Sequence, residues 1–205
     1  MIYTPNRPDW YYSYVDLPNL EKIKQELLFV RDNINVGAQY QPFYVNYFKN
    51  DIVQYIPTVC DYLKAVGLYN KFYRIIFSAK KTLNDKLQSH IHVDTLAKSF
   101  IYSLNIPLIE CEDTYTAWYN GKVEVFDQTK NSFLKTNQGS INHFGVVDES
   151  NATEICRVET VKPMLINTTI PHRALTTCPG RVLACIRFVP DLTESEFTRL
   201  TSYST

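Results

Sequence analysis

Apolar positions follow two different periods along this chain, and the change from one to the other near Gly67 predicts its architecture. In the first third they recur every three to four residues. Leu20, Ile23, Leu27, Val30 and Ile34 form one such series, which predicts an amphipathic helix from Leu20 to Asn33. A second helix is expected to open near Pro57, with Ile56, Cys60 and Leu63 on one side, and to end at Gly67, a residue that tolerates the left-handed C-cap conformation. Beyond Gly67 the spacing falls to two. Short strands are expected at Lys71 to Ser78, Gln88 to Asp94, Ile101 to Ile109, Thr114 to Tyr119, Lys122 to Phe126, Glu154 to Val161, Met164 to Thr169 and Arg181 to Val189. Residues 130–151, rich in Asn, Ser and Gly, read as a long loop or lid, and Thr193 with Glu196 forms a capping-box pattern ahead of a short C-terminal helix.

About eight antiparallel strands with helices over one side fit a mainly β fold with N-terminal helices, a double-stranded β-helix or jelly-roll, cupin-like barrel whose open mouth can hold a ligand. Fifteen Tyr, eleven Phe and two Trp against six Gly agree with a sheet-rich core. At 205 residues the chain suits a single domain, burying about 70% of its unfolded surface. Its parts would be a helical layer over 1–68, a jelly-roll core over 69–190 and a short helix or tail over 191–205.

Charge and composition narrow the partners. Lys plus Arg balances Asp plus Glu at 21 each, so long-range attraction to a polyanion is not built in and a nucleic-acid partner is not expected. Lys80, Lys81 and Lys86 form only a small basic patch. No apolar run reaches the eighteen or so residues of a membrane helix, and the first eight residues lack the apolar core of a signal peptide. The expectation is a soluble protein of the cytoplasm without a membrane partner. Five widely spaced cysteines, Cys60, Cys111, Cys156, Cys178 and Cys185, argue for reduced thiols and against a disulfide framework.

The chemistry enters at Ser89-His90-Ile91-His92-Val93-Asp94. In an extended strand His92 and Asp94 project from one face and can chelate a single ion. A His-x-Asp is weak alone: four His and eleven Asp in this length give roughly 0.2 chance matches. A second histidine, His172 in Pro171-His172-Arg173, would complete a two-His, one-carboxylate set that leaves positions open for small ligands. Nine residues further, Arg181 begins an apolar strand, where a guanidinium is costly to bury unless a carboxylate pairs with it.

These blocks, together with Leu104-Asn105-Ile106-Pro107, Thr114-Tyr115-Thr116-Ala117-Trp118-Tyr119 and Arg181-Val182-Leu183-Ala184-Cys185-Ile186-Arg187-Phe188, resemble the iron(II) and 2-oxoglutarate dependent oxygenase superfamily. The similarity is closest to its aspartyl/asparaginyl hydroxylase-like branch, including short phage-borne forms, and covers roughly residues 70 to 190. The resemblance implies a dioxygenase in which His92, Asp94 and His172 bind iron(II), Arg181 holds the distal carboxylate of 2-oxoglutarate, and Asn105 lies beside that co-substrate. The reaction implied is hydroxylation of a peptide or protein side chain, or of a small molecule. Where the superfamily commonly has Arg-x-Ser, this chain reads Arg181-Val182-Leu183.

Other readings of single residues stay open at this level. His90 shares the strand parity of His92 and could compete as a ligand, while His143 falls in a polar loop. Arg187 shares the parity of Arg181 and could be the anchor instead; Arg173 could meet substrate or solvent. Trp118 and Tyr119 could line the mouth or fill the core. Two other functions use the same barrel: a non-catalytic structural or virion-associated protein that has kept a metal site, and a cupin-type metalloenzyme without 2-oxoglutarate.

Overall fold

The computed structural model describes residues 11–41, 44–79, 91–94, 101–125 and 145–202. In chain order its elements are β1 (Tyr12–Tyr14), α1 (Leu20–Asn33), β2 (Gln39–Gln41), β3 (Tyr44–Phe48), α2 (Lys49–Ile52), α3 (Pro57–Ala65), β4 (Phe72–Ala79), β5 (Ile91–Val93) and β6 (Tyr102–Ile109). There follow β7 (Thr114–Asn120), β8 (Val123–Val125), β9 (Gly145–Val147), β10 (Thr153–Glu159), β11 (Met164–Asn167), β12 (His172–Thr176), β13 (Val182–Phe188) and α4 (Glu194–Ser202). The strands form two antiparallel sheets, one of seven in the order β1-β11-β6-β13-β4-β3-β2 and one of six in the order β10-β7-β12-β5-β9-β8. Mainly β architecture with two opposed sheets, as in a β-sandwich or barrel, is therefore present. No helix among the described residues is long and apolar enough to cross a membrane.

Helix α1 has the bounds its apolar spacing predicts, and Ile23, Leu27 and Val30 are its buried stripe. Helix α3 starts at Pro57, where the missing N–H costs nothing, and the chain leaves it through Gly67 at a φ of 74°. Both pack on the outer face of the seven-stranded sheet, where Ile75, Phe77, Leu104, Ile106, Ala184 and Ile186 meet them in one buried cluster. Full burial of each large aliphatic side chain there contributes about 1.5–3 kcal/mol.

The alternate residues of the same strands form the inner face, and the register fixes them in rows. Phe48, Arg74, Arg187 and Ser103 lie side by side across β3, β4, β13 and β6; the next row is Asn46, Ile76, Cys185, Asn105 and, on β11, Met164. The six-stranded sheet closes against this face. Trp118 on β7 packs with Met164 and Ile166, and its indole N–H donates to the Asn167 carbonyl at 3.2 Å.

Several elements depart from the sequence-based expectation. Residues 1–68 are not purely helical, since β1, β2 and β3 join the large sheet. Within the expected lid, β9 pairs with both β5 and β8, and residues 149–151 form a short 3-10 turn. His172 opens a strand, β12, that the apolar pattern does not announce. The expected strands at residues 88–94 and 122–126 are present among the described residues as β5 and β8, and residues 88–90 and 126, with His90, His143, Lys80, Lys81 and Lys86, lie outside the described residues.

The expected capping box closes α4: the Thr193 N–H donates to Glu196 at 2.7 Å and the Glu196 N–H to the Thr193 hydroxyl at 3.3 Å. Glu196 also pairs with Lys71, both side chains being under one-fifth exposed. Burial works against its charge, but Lys71 and the Thr193 donors outweigh it and hold its carboxyl down at about 2 from an ordinary 4.5. A carboxyl lowered by folding stabilises above its ordinary range, and that stability disappears as pH falls from 4.5 through 2. Glu196→Gln is expected to cost about 1–2 kcal/mol at pH 7, after discounting the shift for solvent screening, and nothing near pH 2. Urea melts of both proteins across this range measure the difference, and an equal cost at pH 7 and pH 2 counts against the ion pair.

Candidate metal centre

Strand β12 lies between β7 and β5, and His172 sits opposite Trp118 on one side and His92 on the other. Directly paired residues of antiparallel strands share a face, so both imidazoles point toward the large sheet. His92 is flanked by Ile91 and Val93, each 1% exposed, whose burial on the other face fixes this register. Asp94 stands just past β5. Its N–H donates to the Thr168 carbonyl at 3.1 Å, which turns the carboxylate in beside the two rings.

Three donor atoms converge as a result. His92 Nε2 is 3.3 Å and His172 Nε2 3.9 Å from Asp94 Oδ1, and all three lie within 4.8 Å of one another. A first-row divalent ion binding N and O ligands at about 2.0–2.2 Å on one octahedral face needs donors roughly 3 Å apart, so the set fits once the side chains draw in by about an ångström. His92, Asp94 and His172 could hold a metal ion.

Asp94 and His172 have the protonation states that coordination requires. Burial, then repulsion from His92, lowers His172 to about 4, so the ring is neutral at pH 7. Its Nδ1 lies 2.9 Å from the Ile170 carbonyl, which can only accept. The proton therefore resides on Nδ1 and the Nε2 lone pair faces Asp94. Burial opposes the charge on Asp94, but Arg187 foremost, the His92 hydrogen bond and the two imidazoles hold its carboxyl well below the ordinary range. Arg187 Nη2 donates to Asp94 Oδ2, leaving Oδ1 toward the rings, and Arg187 Nη1 donates to the Thr168 hydroxyl at 3.3 Å. Thr168 thus steadies both the ligand backbone and the ligand's cation, a role that period-two reasoning has no means of finding.

Arg181 lies at the other end of β13 from Arg187, six residues or roughly 20 Å along the strand. It is 2% exposed, its Nε has no hydrogen-bond partner, and no carboxylate among the described residues pairs with it. Burial lowers its pKa, and Cys111 and Cys185 are the groups close enough to act on it. The carboxylate of Glu110 fills the space where a side chain at Gly180 would project and accepts the Gly180 N–H at 3.1 Å, setting the turn that delivers Arg181. Asn105 is buried beside Cys185. Its carbonyl oxygen accepts the Ser103 hydroxyl at 2.7 Å, and its amide nitrogen has no acceptor among the described residues.

Two other expected positions lie elsewhere. Arg173 engages Glu149 at 3.0 Å and the Tyr119 hydroxyl at 3.0 Å on the face away from His172. Trp118 is fully buried and belongs to the wall. Compared with known families and curated proteins, the sequence matches no family model and no curated protein, so its chemistry is interpreted from this geometry.

Proposed function

We propose that the protein is an iron(II) and 2-oxoglutarate dependent dioxygenase of the double-stranded β-helix class, hydroxylating a polypeptide side chain or a small molecule. One observation carries the reading: two imidazoles and a carboxylate converge against the large sheet, which also buries a guanidinium, Arg181, without a described counter-charge. A buried charge of that kind is expensive unless a ligand brings the partner. The distal carboxylate of a dicarboxylate supplies it.

When bound, iron(II) with 2-oxoglutarate couples oxidative decarboxylation to insertion of an oxygen atom into a substrate C–H bond. The chain's own tasks are positional and electrostatic. His92, Asp94 and His172 offer three ligands from one side and leave the rest of the coordination shell open. Arg187 keeps Asp94 ionised, and the Ile170 carbonyl keeps His172 in the ligating tautomer. Arg181 takes the distal carboxylate, with the Asn105 amide as a further donor. Trp118, Met164 and Ile166 give the wall an apolar stretch that excludes water.

The test is an anaerobic titration with iron(II) and then 2-oxoglutarate. The expected result is stoichiometric iron uptake, followed by a weak visible charge-transfer band on adding the co-substrate. Iron uptake without the band favours a cupin-type metalloprotein or a non-catalytic protein that has kept its metal site, and failure to bind any divalent metal overturns the metal centre itself.

A further inference from the structure

The wall beside His172 carries a series of aromatic rings that metal binding does not use. Trp118 lies directly opposite His172 on the neighbouring strand, so the indole stands next to a ligand imidazole, with Cβ atoms about 4.5–5.5 Å apart. Tyr12 stacks on Trp118 with ring centroids 5.7 Å and planes 20° apart, and Tyr14 meets Tyr12 edge-on at 5.6 Å. Tyr12 and Tyr14 share one face of β1, where Ile166 and Met164 are their partners on β11. The indole is fully buried whereas Tyr14 is 39% exposed, so the series runs from the metal centre to solvent. Tyr11, 5.9 Å from Trp118, is a side branch that is only 6% exposed.

Trp and Tyr side chains give up single electrons far more readily than aliphatic ones. Electron tunnelling falls exponentially with distance, so two short steps between these rings carry a charge that one long step would not. An oxidant left at the metal without a substrate otherwise attacks what surrounds it. Met164 is fully buried in the same cluster as Trp118, and its sulfur would take up an oxygen atom to become a polar sulfoxide that disrupts an apolar wall. At the outer end the Tyr14 hydroxyl donates to the Glu159 carbonyl at 2.9 Å, which fixes the ring. Burial, then Tyr12 and Glu159, raise its pKa, so the phenol is neutral at pH 7 and sheds its proton to water when it is oxidised.

We propose that Trp118, Tyr12 and Tyr14 form an electron relay that discharges oxidising equivalents from the metal centre to a small one-electron reductant, such as ascorbate, at the Tyr14 surface. Each equivalent removes one electron from Trp118, which Tyr12 and then Tyr14 replace. The Tyr14 radical recovers a hydrogen atom from ascorbate. Two passages, with two protons, reduce one molecule of hydrogen peroxide to two of water and oxidise one ascorbate to dehydroascorbate. The relay rests on the iron centre of the reading above and not on 2-oxoglutarate.

The test mixes iron(II)-loaded protein with hydrogen peroxide anaerobically, in the presence of a nitroso spin trap and without 2-oxoglutarate, and maps radical adducts and Met164 sulfoxide by mass spectrometry. The parent is expected to carry its adduct on Tyr14 and to lose it when ascorbate is added. Tyr12→Phe, which keeps the ring and removes the oxidisable phenol, should lose most of the Tyr14 adduct and gain Met164 sulfoxide. Absence of a Tyr14 adduct from the iron-loaded parent, or adducts on Tyr11 or Cys156 in its place, overturns the relay. So does an undiminished Tyr14 adduct in Tyr12→Phe, or an equal one in His92→Ala given the same iron, which would trace it to radicals formed in free solution. A rise in Met164 sulfoxide that Tyr12→Phe shows equally without iron reports loosened packing and counts against the relay as well. Should the parent bind iron but not 2-oxoglutarate, the dioxygenase reading fails alone and the peroxide experiment still decides the relay; a parent that binds no iron loses both.

Discussion

His92→Ala and His172→Ala are each expected to lower iron(II) affinity by more than about 100-fold, since loss of a direct ligand exceeds the 10–100-fold typical of the groups that merely orient one. Metal content after anaerobic dialysis measures this directly. The two histidines are the cleaner probes, because Asp94→Ala also leaves Arg187 buried without its counter-charge and should destabilise the fold by about 3–5 kcal/mol. His172→Ala leaves a void against Trp118, so its melting temperature should fall, whereas His92, a quarter exposed at the side chain, should be replaced with little structural cost. Retention of iron by His92→Ala together with its loss from His90→Ala would show that the ligand on this segment is misassigned.

The His92 and Asp94 pairing was legible because it depends only on strand parity, which the sequence carries in its two-residue spacing. The structure adds that Asp94 sits one residue past β5 and is aimed by a backbone bond to Thr168 rather than by the strand ladder. Helix α1 and the Thr193 and Glu196 box were legible for the same reason, being local patterns. Strand β12 was not, since His172-Arg173-Ala174-Leu175-Thr176 is too short to establish a period. Strand β3 escaped for another reason. Val45 and Tyr47 pack toward the helices while Tyr44, Asn46 and Phe48 take the cleft side, so aromatic and apolar residues occupy both faces and the alternation disappears. With β3 unseen, Tyr44 could not be placed, and the opposition of Arg74 to Arg187 was out of reach because strand order and register are long-range properties. The sequence did mark Arg181 and Arg187 as equivalent by parity; the ion pair with Asp94 is what separates their surroundings.

That separation leads to the other large expected effect. Arg181→Met should weaken 2-oxoglutarate binding at least thirtyfold, the equivalent of about 2–5 kcal/mol for removing one partner of a desolvated charge pair, while iron affinity stays within a few-fold of the parent. The same change should raise the stability of the ligand-free protein, because an apolar side chain of similar length replaces a buried guanidinium that has no described counter-charge; such replacements are often neutral or stabilising by about 1–4 kcal/mol. Arg187→Met should behave in the opposite way, losing stability and iron together, since it leaves the Asp94 carboxylate without its main compensating charge. The two variants, each followed by iron uptake, co-substrate titration and thermal melting, therefore give crossed patterns. A purely structural Arg181 would lower the melting temperature and leave 2-oxoglutarate binding unaltered, and that result would move the anchor to Arg187, whose hold on Asp94 would then have to be shared with the co-substrate.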